Sequence, residues 1–140
     1  MTLERLDKLV ETRLVNQEPP DQGEFDGLIE RARRHLNDAQ VVGVSEEGQF
    51  SLTYIASHSL ALAAMRWHGY RTDKRYLVFQ CLEHTVGIEK SQWRVLDKCH
   101  KQRNLAEYEG EMEVDSQLLK ELVQITNELL ALVEALGPIT

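Results

Sequence analysis

Ile55-Ala56-Ser57-His58-Ser59-Leu60-Ala61-Leu62-Ala63-Ala64 is the stretch that decides the fold, because nearly every position is apolar or small. Such a segment reads as the middle of a helix that is central in its domain and contacted on several sides. The helix is expected to run from Glu46 or Glu47 to Trp67 or His68, with Gly69 as its C-terminal stop. Ser57 and Ser59 flank His58 without forming a nucleophile arrangement, and their small size suits close helix packing.

Working back from this helix, Val41 to Glu47 is a connector. Phe25, Leu28, Ile29, Ala32, Leu36 and Ala39 lie on one helical face, with Asp21 and Glu24 spaced as a capping pair ahead of them. Arg31, Arg33, Arg34 and Asp38 fall mostly off that face. Val15 to Gly23 holds adjacent prolines, Pro19 and Pro20, and is the one clear linker. Before it, the span Thr2 to Leu14 places Leu3, Leu6, Leu9, Val10 and Leu14 at helical steps. Residues 1–23 therefore read as a helical arm and linker, the arm free to pack elsewhere, a partner chain included.

Working forward, Tyr70 to Arg75 reads as a polar, basic turn. Leu77, Val78, Cys81, Leu82 and Thr85 give Tyr76 to Val86 a helical spacing, with a strand as the alternative, and Gly87 ends it. Ser91 is expected to cap the next helix, which carries Trp93, Leu96, Cys99, His100, Arg103 and Asn104 until Gly110 breaks it. An acidic link follows, from Glu107 to Asp115. Asp115 is expected to cap a last, Leu-rich helix from Leu118 to Leu136, closed by Gly137-Pro138. No pair of segments carries hairpin signals. The expected fold is all-α: an antiparallel bundle of about five helices over residues 24–140, without a sheet, preceded by the arm.

Composition narrows the function classes. The chain has 140 residues, a size that suits one domain. Its net charge of −7 argues against a general polyanion binder. The longest apolar run, Leu60 to Met65, is far short of the roughly 20 residues of a membrane span, and residues 1–20 show no apolar signal core. No membrane association is expected, and the cytoplasm is the expected compartment. Cys81 and Cys99 form neither a CxxC pair nor a zinc spacing, and read as reduced thiols. No HExxH, Cys/His cluster or Gly-rich phosphate loop is present, so neither a metal nor a cofactor is expected.

The richest polar stretch is Asp97-Lys98-Cys99-His100-Lys101-Gln102-Arg103-Asn104-Leu105-Ala106-Glu107-Tyr108. On a helix, His100, Arg103, Asn104 and Glu107 share a face, and Tyr108 follows Asn104 by a turn. Arg grips a phosphate bidentately, and His moves protons near neutral pH. Together they suffice in principle to cleave RNA through its own 2′-hydroxyl. The plainer reading is a buried network in which Arg103 pairs with Glu107. Arg94, Lys98 and Lys101 recur as a stripe, read as a solvated face or as a local phosphate track. Arg66, Arg71, Lys74 and Arg75 form a second basic cluster. His58, one turn after Tyr54, reads as a hydrogen-bonded core residue or as a group facing the cleft of Arg103.

Arg103-Asn104-Leu105-Ala106-Glu107-Tyr108, preceded by His100-Lys101, resembles the motif of HEPN domains (higher eukaryotes and prokaryotes nucleotide-binding), in the prokaryotic form Arg-x-x-Ala-(Asp/Glu)-Tyr. Phe50 to Ala64 with Trp67-His68-Gly69-Tyr70 resembles the family's second helix, Phe25 to Gln40 its first, and the Leu-rich end its last. The resemblance implies an all-α bundle, homodimers that bring two Arg-bearing helices together, and RNA cleavage or nucleotide-related binding. Many members are encoded beside a minimal nucleotidyltransferase, which implies such a partner and a toxin–antitoxin-type pair. The family's ribonuclease mechanism uses a His after the Arg; here Tyr108 occupies that region and no His follows Arg103. The expected site is a cleft lined by Arg103, Asn104 and Tyr108, with His100 or His58 nearby, Glu107 on the same face, and Lys98 and Lys101 adding attraction. Arg103 and His100 are the catalytic candidates. Three readings follow: a binding domain weak or silent as a nuclease, an active metal-independent ribonuclease, and a helical interaction module without a nucleic-acid role.

Overall fold

The computed structural model describes residues 3–110 and 113–140. Seven helices are present among them: α1 (Glu4–Glu11), α2 (Gln22–Ala39), α3 (Glu46–Trp67), α4 (Arg75–Gln80), α5 (Leu82–Thr85), α6 (Lys90–Glu109) and α7 (Ser116–Glu134). The four long ones, α2, α3, α6 and α7, make an all-α bundle with alternating directions. Glu24 near the start of α2 pairs with Arg66 near the end of α3, whereas Gln40 and Gln49 border one cavity at the hairpin end. Gln92 of α6 donates to the Glu128 carboxylate of α7 at 3.0 Å, which sets those two antiparallel. The Ser116 hydroxyl donates to Glu46, and the Trp67 indole donates to the Gly137 carbonyl at 3.0 Å, so α7 runs the same way as α3.

α3 is central, as its sequence dictates. It packs against α2, α4, α5, α6 and α7. Ala56, Ser57, Ala61, Ala63 and Ala64 are buried and let neighbours approach its backbone, while Phe50, Tyr54, Leu60 and Met65 fill the gaps between them. Its start is capped by Ser45, whose hydroxyl accepts from the Gly48 N–H at 3.0 Å. Its stop is Gly69, at φ 90°, a conformation other residues adopt only with strain. Asp21 and Asp115 cap α2 and α7 as the sequence indicates. The stretch Tyr76 to Val86 is helical, divided at Cys81 into α4 and α5.

Several expectations are corrected. α6 starts at Lys90, with Glu89 at its cap; the Gln92 side chain accepts from the Glu89 N–H at 2.9 Å, and Ser91 lies inside the first turn. A small sheet exists: β1 (Asn16–Gln17) pairs antiparallel with β2 (Tyr70–Arg71), inside what reads as a linker and a turn. The amino-terminal arm packs on its own chain. Leu3, Leu6, Leu9 and Val15 are buried in the same core as α3, and the Tyr70 hydroxyl donates to Asp7. The apolar surfaces of α1 and α3 are thus covered within one chain. Among the described residues no helix is long and apolar enough to cross a membrane.

The reason the linker is held is Arg66, 1% exposed at the end of α3. A buried guanidinium must find acceptors. Its Nε donates to Glu24 at 3.0 Å, Nη2 to the Pro19 carbonyl at 2.7 Å, and Nη1 to the Glu18 carbonyl at 3.0 Å. Arg71 adds ion pairs to Glu18 and Glu24. Two of the four residues read as one basic cluster are therefore spent inside the fold. We expect Arg66→Ala to lower the unfolding free energy by roughly 3–5 kcal/mol in urea titration, the cost of breaking a buried charged network. Arg66→Lys should recover little of it, because one ammonium cannot span acceptors on three residues. A loss below about 1 kcal/mol for the Ala variant would contradict this account.

Candidate functional site

The antiparallel register set by Glu24 and Arg66 determines what meets further along the hairpin. Two turns on in α2 comes Arg31; two turns back in α3 comes Ser59, and the two residues border one cleft of about 230 Å3. Ile55 and His58 of α3 complete this wall, Arg75 enters from the first position of α4, and Arg103 from α6. Three guanidinium groups on three helices thus open on one cleft, and no described carboxylate lines it.

Tyr54, fully buried on α3, organises the arginines. The Arg103 guanidinium carbon sits 5.1 Å from the centre of its ring, a cation–π contact, and that of Arg75 at 6.0 Å. Arg75 also donates to the Tyr54 oxygen at 3.4 Å. His100 Nδ1 lies 2.9 Å from the same oxygen, and its Nε2 lies 3.3 Å from the Asn104 amide nitrogen. One hydrogen bond joins the Tyr54 hydroxyl to His100 Nδ1, the imidazole tautomer setting which of the two donates. The phenol oxygen also accepts from Arg75, so this buried hydroxyl is satisfied within the fold. His58 packs its ring edge-on to Phe79 and has no hydrogen-bond partner among the described residues.

Protonation follows from this environment. Burial, with Arg75 and Arg31 nearby, drives the His58 imidazole down to about 4. Burial and Arg75 also lower His100, and burial raises the Tyr54 phenol. At neutral pH the cleft therefore holds a neutral imidazole, a neutral phenol and guanidinium charge, with a second neutral imidazole behind it. Such a set attracts an anion and offers neutral donors to it, but supplies no protonated imidazole to act as an acid. Burial raises Cys81 to about 11 and Cys99 to about 12, which keeps both as unreactive thiols.

Of the residues singled out in the sequence, Arg103 and His58 meet in the cleft, and His100 and Asn104 stand behind it as support for Tyr54. Tyr108 does not line it: its side chain is 91% exposed near the end of α6. Lys98 is exposed, and Lys101 pairs with Asp97 at 3.2 Å, so neither borders the cleft. The Glu107 side chain lies outside the described residues. Sequence reasoning missed Arg31, Arg75 and Tyr54. Arg31 had one signal, a position off the apolar face of α2; Arg75 was grouped with Arg66 and Arg71, whose partners are internal. Among the described residues no group of His, Cys, Asp and Glu is placed to hold a metal ion. No family model matches the chain, and no curated protein or solved structure is significantly similar to it.

His58 gives a pH prediction. Its folded value, about 4, lies below the ordinary 6.5, so the unfolded chain binds more protons between those two values. Stability from this residue is complete above pH 6.5 and is lost on acidification toward 4. In phosphate-free buffer the wild type should lose stability over that window more steeply than His58→Gln. The excess slope should approach about 1.4 kcal/mol per pH unit in urea titrations. Parallel pH profiles would mean that the imidazole charges freely in the folded protein.

Proposed function

We propose that this chain is an HEPN-like domain whose α2–α3–α4–α6 cleft binds the phosphate of a nucleotide or RNA, and that it acts through that ligand or a protein partner, not as an efficient nuclease. The observation that carries the reading is the convergence of Arg31, Arg75 and Arg103 on a cleft without a described carboxylate. An acidic protein that gathers three guanidinium groups into one concavity has built a local anion site against its overall charge. Arg103, the motif residue of the HEPN resemblance, is one of the three.

Weak catalysis follows from the same residues. RNA cleavage by the 2′-hydroxyl needs one group to take a proton and another to give one. His100 has both nitrogens engaged, by Tyr54 and Asn104, and His58 is neutral at pH 7. Losing general acid–base help costs about 10²–10⁴-fold in rate. The HEPN reading also carries a homodimer and a nucleotidyltransferase partner. Leu105 and Tyr108, large side chains exposed near the end of α6, support a protein contact there.

The test is to titrate a fluorescent RNA and, separately, ATP into wild type and Arg103→Ala at low salt. Loss of one charged hydrogen-bonding group should weaken binding by roughly tenfold or more. The RNA should stay intact throughout. Equal affinity in both proteins would remove Arg103 from the site. Rapid metal-independent cleavage, lost in His100→Ala, would overturn the silent reading and make His100 the catalyst.

A further inference from the structure

We propose that the cleft selects a terminal phosphate, a phosphomonoester, over a phosphodiester within a strand; this rests on the phosphate-binding reading and adds the kind of phosphate. Three features of the cleft point the same way. The first is charge. Arg31, Arg75 and Arg103 bring three permanent positive charges from three helices, and no described carboxylate lines the cleft. A phosphomonoester carries about −1.5 to −2 at pH 7 and three acceptor oxygens. An internal phosphodiester carries a single charge and leaves two oxygens free. Three guanidinium forks match the former in both respects.

The second feature is the inner wall. Tyr54 and His58 stand on the central helix, with the packed core behind them. The His58 ring has no hydrogen-bond partner among the described residues, whereas the buried Tyr54 hydroxyl is held by Arg75 and His100. His58 therefore offers a donor on the inner wall, where the third free oxygen of a phosphomonoester can be met. The third is size. The cleft, about 230 Å3 and partly open to solvent, is lined by seven residues from four helices. That is room for one phosphate group among the three guanidinium forks.

The experiment uses the full chain and one short RNA sequence in three forms: 5′-phosphorylated, 3′-phosphorylated, and with hydroxyls at both ends. AMP is titrated alongside. At least one phosphorylated form should bind about tenfold tighter than the hydroxyl form. Arg31→Gln and Arg75→Gln, both at exposed positions, should abolish that difference while far-ultraviolet CD stays helical. AMP binding as tightly as the phosphorylated strand assigns the phosphate to a mononucleotide; weaker AMP binding assigns it to a strand end. Equal affinity for all three RNA forms, with Arg103→Ala weakening each, overturns the terminal preference and leaves the phosphate site standing. No binding of any RNA or of AMP overturns both.

Discussion

A guanidinium at 1% exposure can exist only if the chain brings acceptors to it, and Arg66 is the point at which this fold closes. Its partners come from segments far apart in sequence: the Glu18 and Pro19 carbonyls, and the Glu24 carboxylate in the first turn of α2. Satisfying it fixes the path of the proline-containing segment, and so places Val15 and α1 on the core. It also fixes how α2 lies along α3. A one-turn slip of that hairpin would separate Glu24 from Arg66 and move Arg31 about 5.4 Å along the α3 surface, away from Ser59 and His58. The same ion pair thus stabilises the fold and sets the register of the cleft.

α3 serves the core and the site with different faces of one helix. Its small residues admit close neighbours, and that closeness brings α2, α4 and α6 near enough for side chains from each to meet over Tyr54 and His58. Tyr54 is the hinge between the two roles. Its ring packs on Phe79 in the interior, carries Arg103 on its face, and offers its oxygen to Arg75 and His100. A phenylalanine there would keep the packing and lose the oxygen that holds Arg75 in the cleft and His100 behind it.

The fold was legible because its cause is local. The apolar run of α3, the caps at Asp21 and Asp115, and the stop at Gly69 are each written in a few consecutive residues. The β1–β2 pairing was not legible, since two-residue strands carry no alternation to read, and they exist because Arg66 and Gly69 bring their segments together. The site was half legible. Arg103, Asn104 and His100 lie on one helix and could be grouped by spacing, whereas Arg31 and Arg75 join them only through tertiary packing. Tyr108 was misplaced for the complementary reason: following Asn104 by one turn does not keep it on the cleft side of α6, and its side chain points to solvent. The basic cluster Arg66, Arg71 and Arg75 shows the limit most clearly, because three similar residues divide between an internal clamp and an open cleft according to where Glu18 and Glu24 lie.

Binding and cleavage make opposed demands on this cleft. Each guanidinium added near His58 and His100 strengthens the field that attracts a phosphate, and the same field disfavours a second positive charge on an imidazole. A nuclease resolves the conflict by keeping its imidazole partly in water, where solvent screens the arginines, or by giving it a carboxylate. His58 has neither, being largely buried in a wall where no described carboxylate stands. A bound dianion would supply the missing negative charge and raise the imidazole's affinity for protons, so ligand binding and proton uptake are linked here by necessity. That linkage favours the ligand with the greater charge. On the proposed reading, the features that impoverish the cleft as a catalyst are those that favour a dianionic ligand.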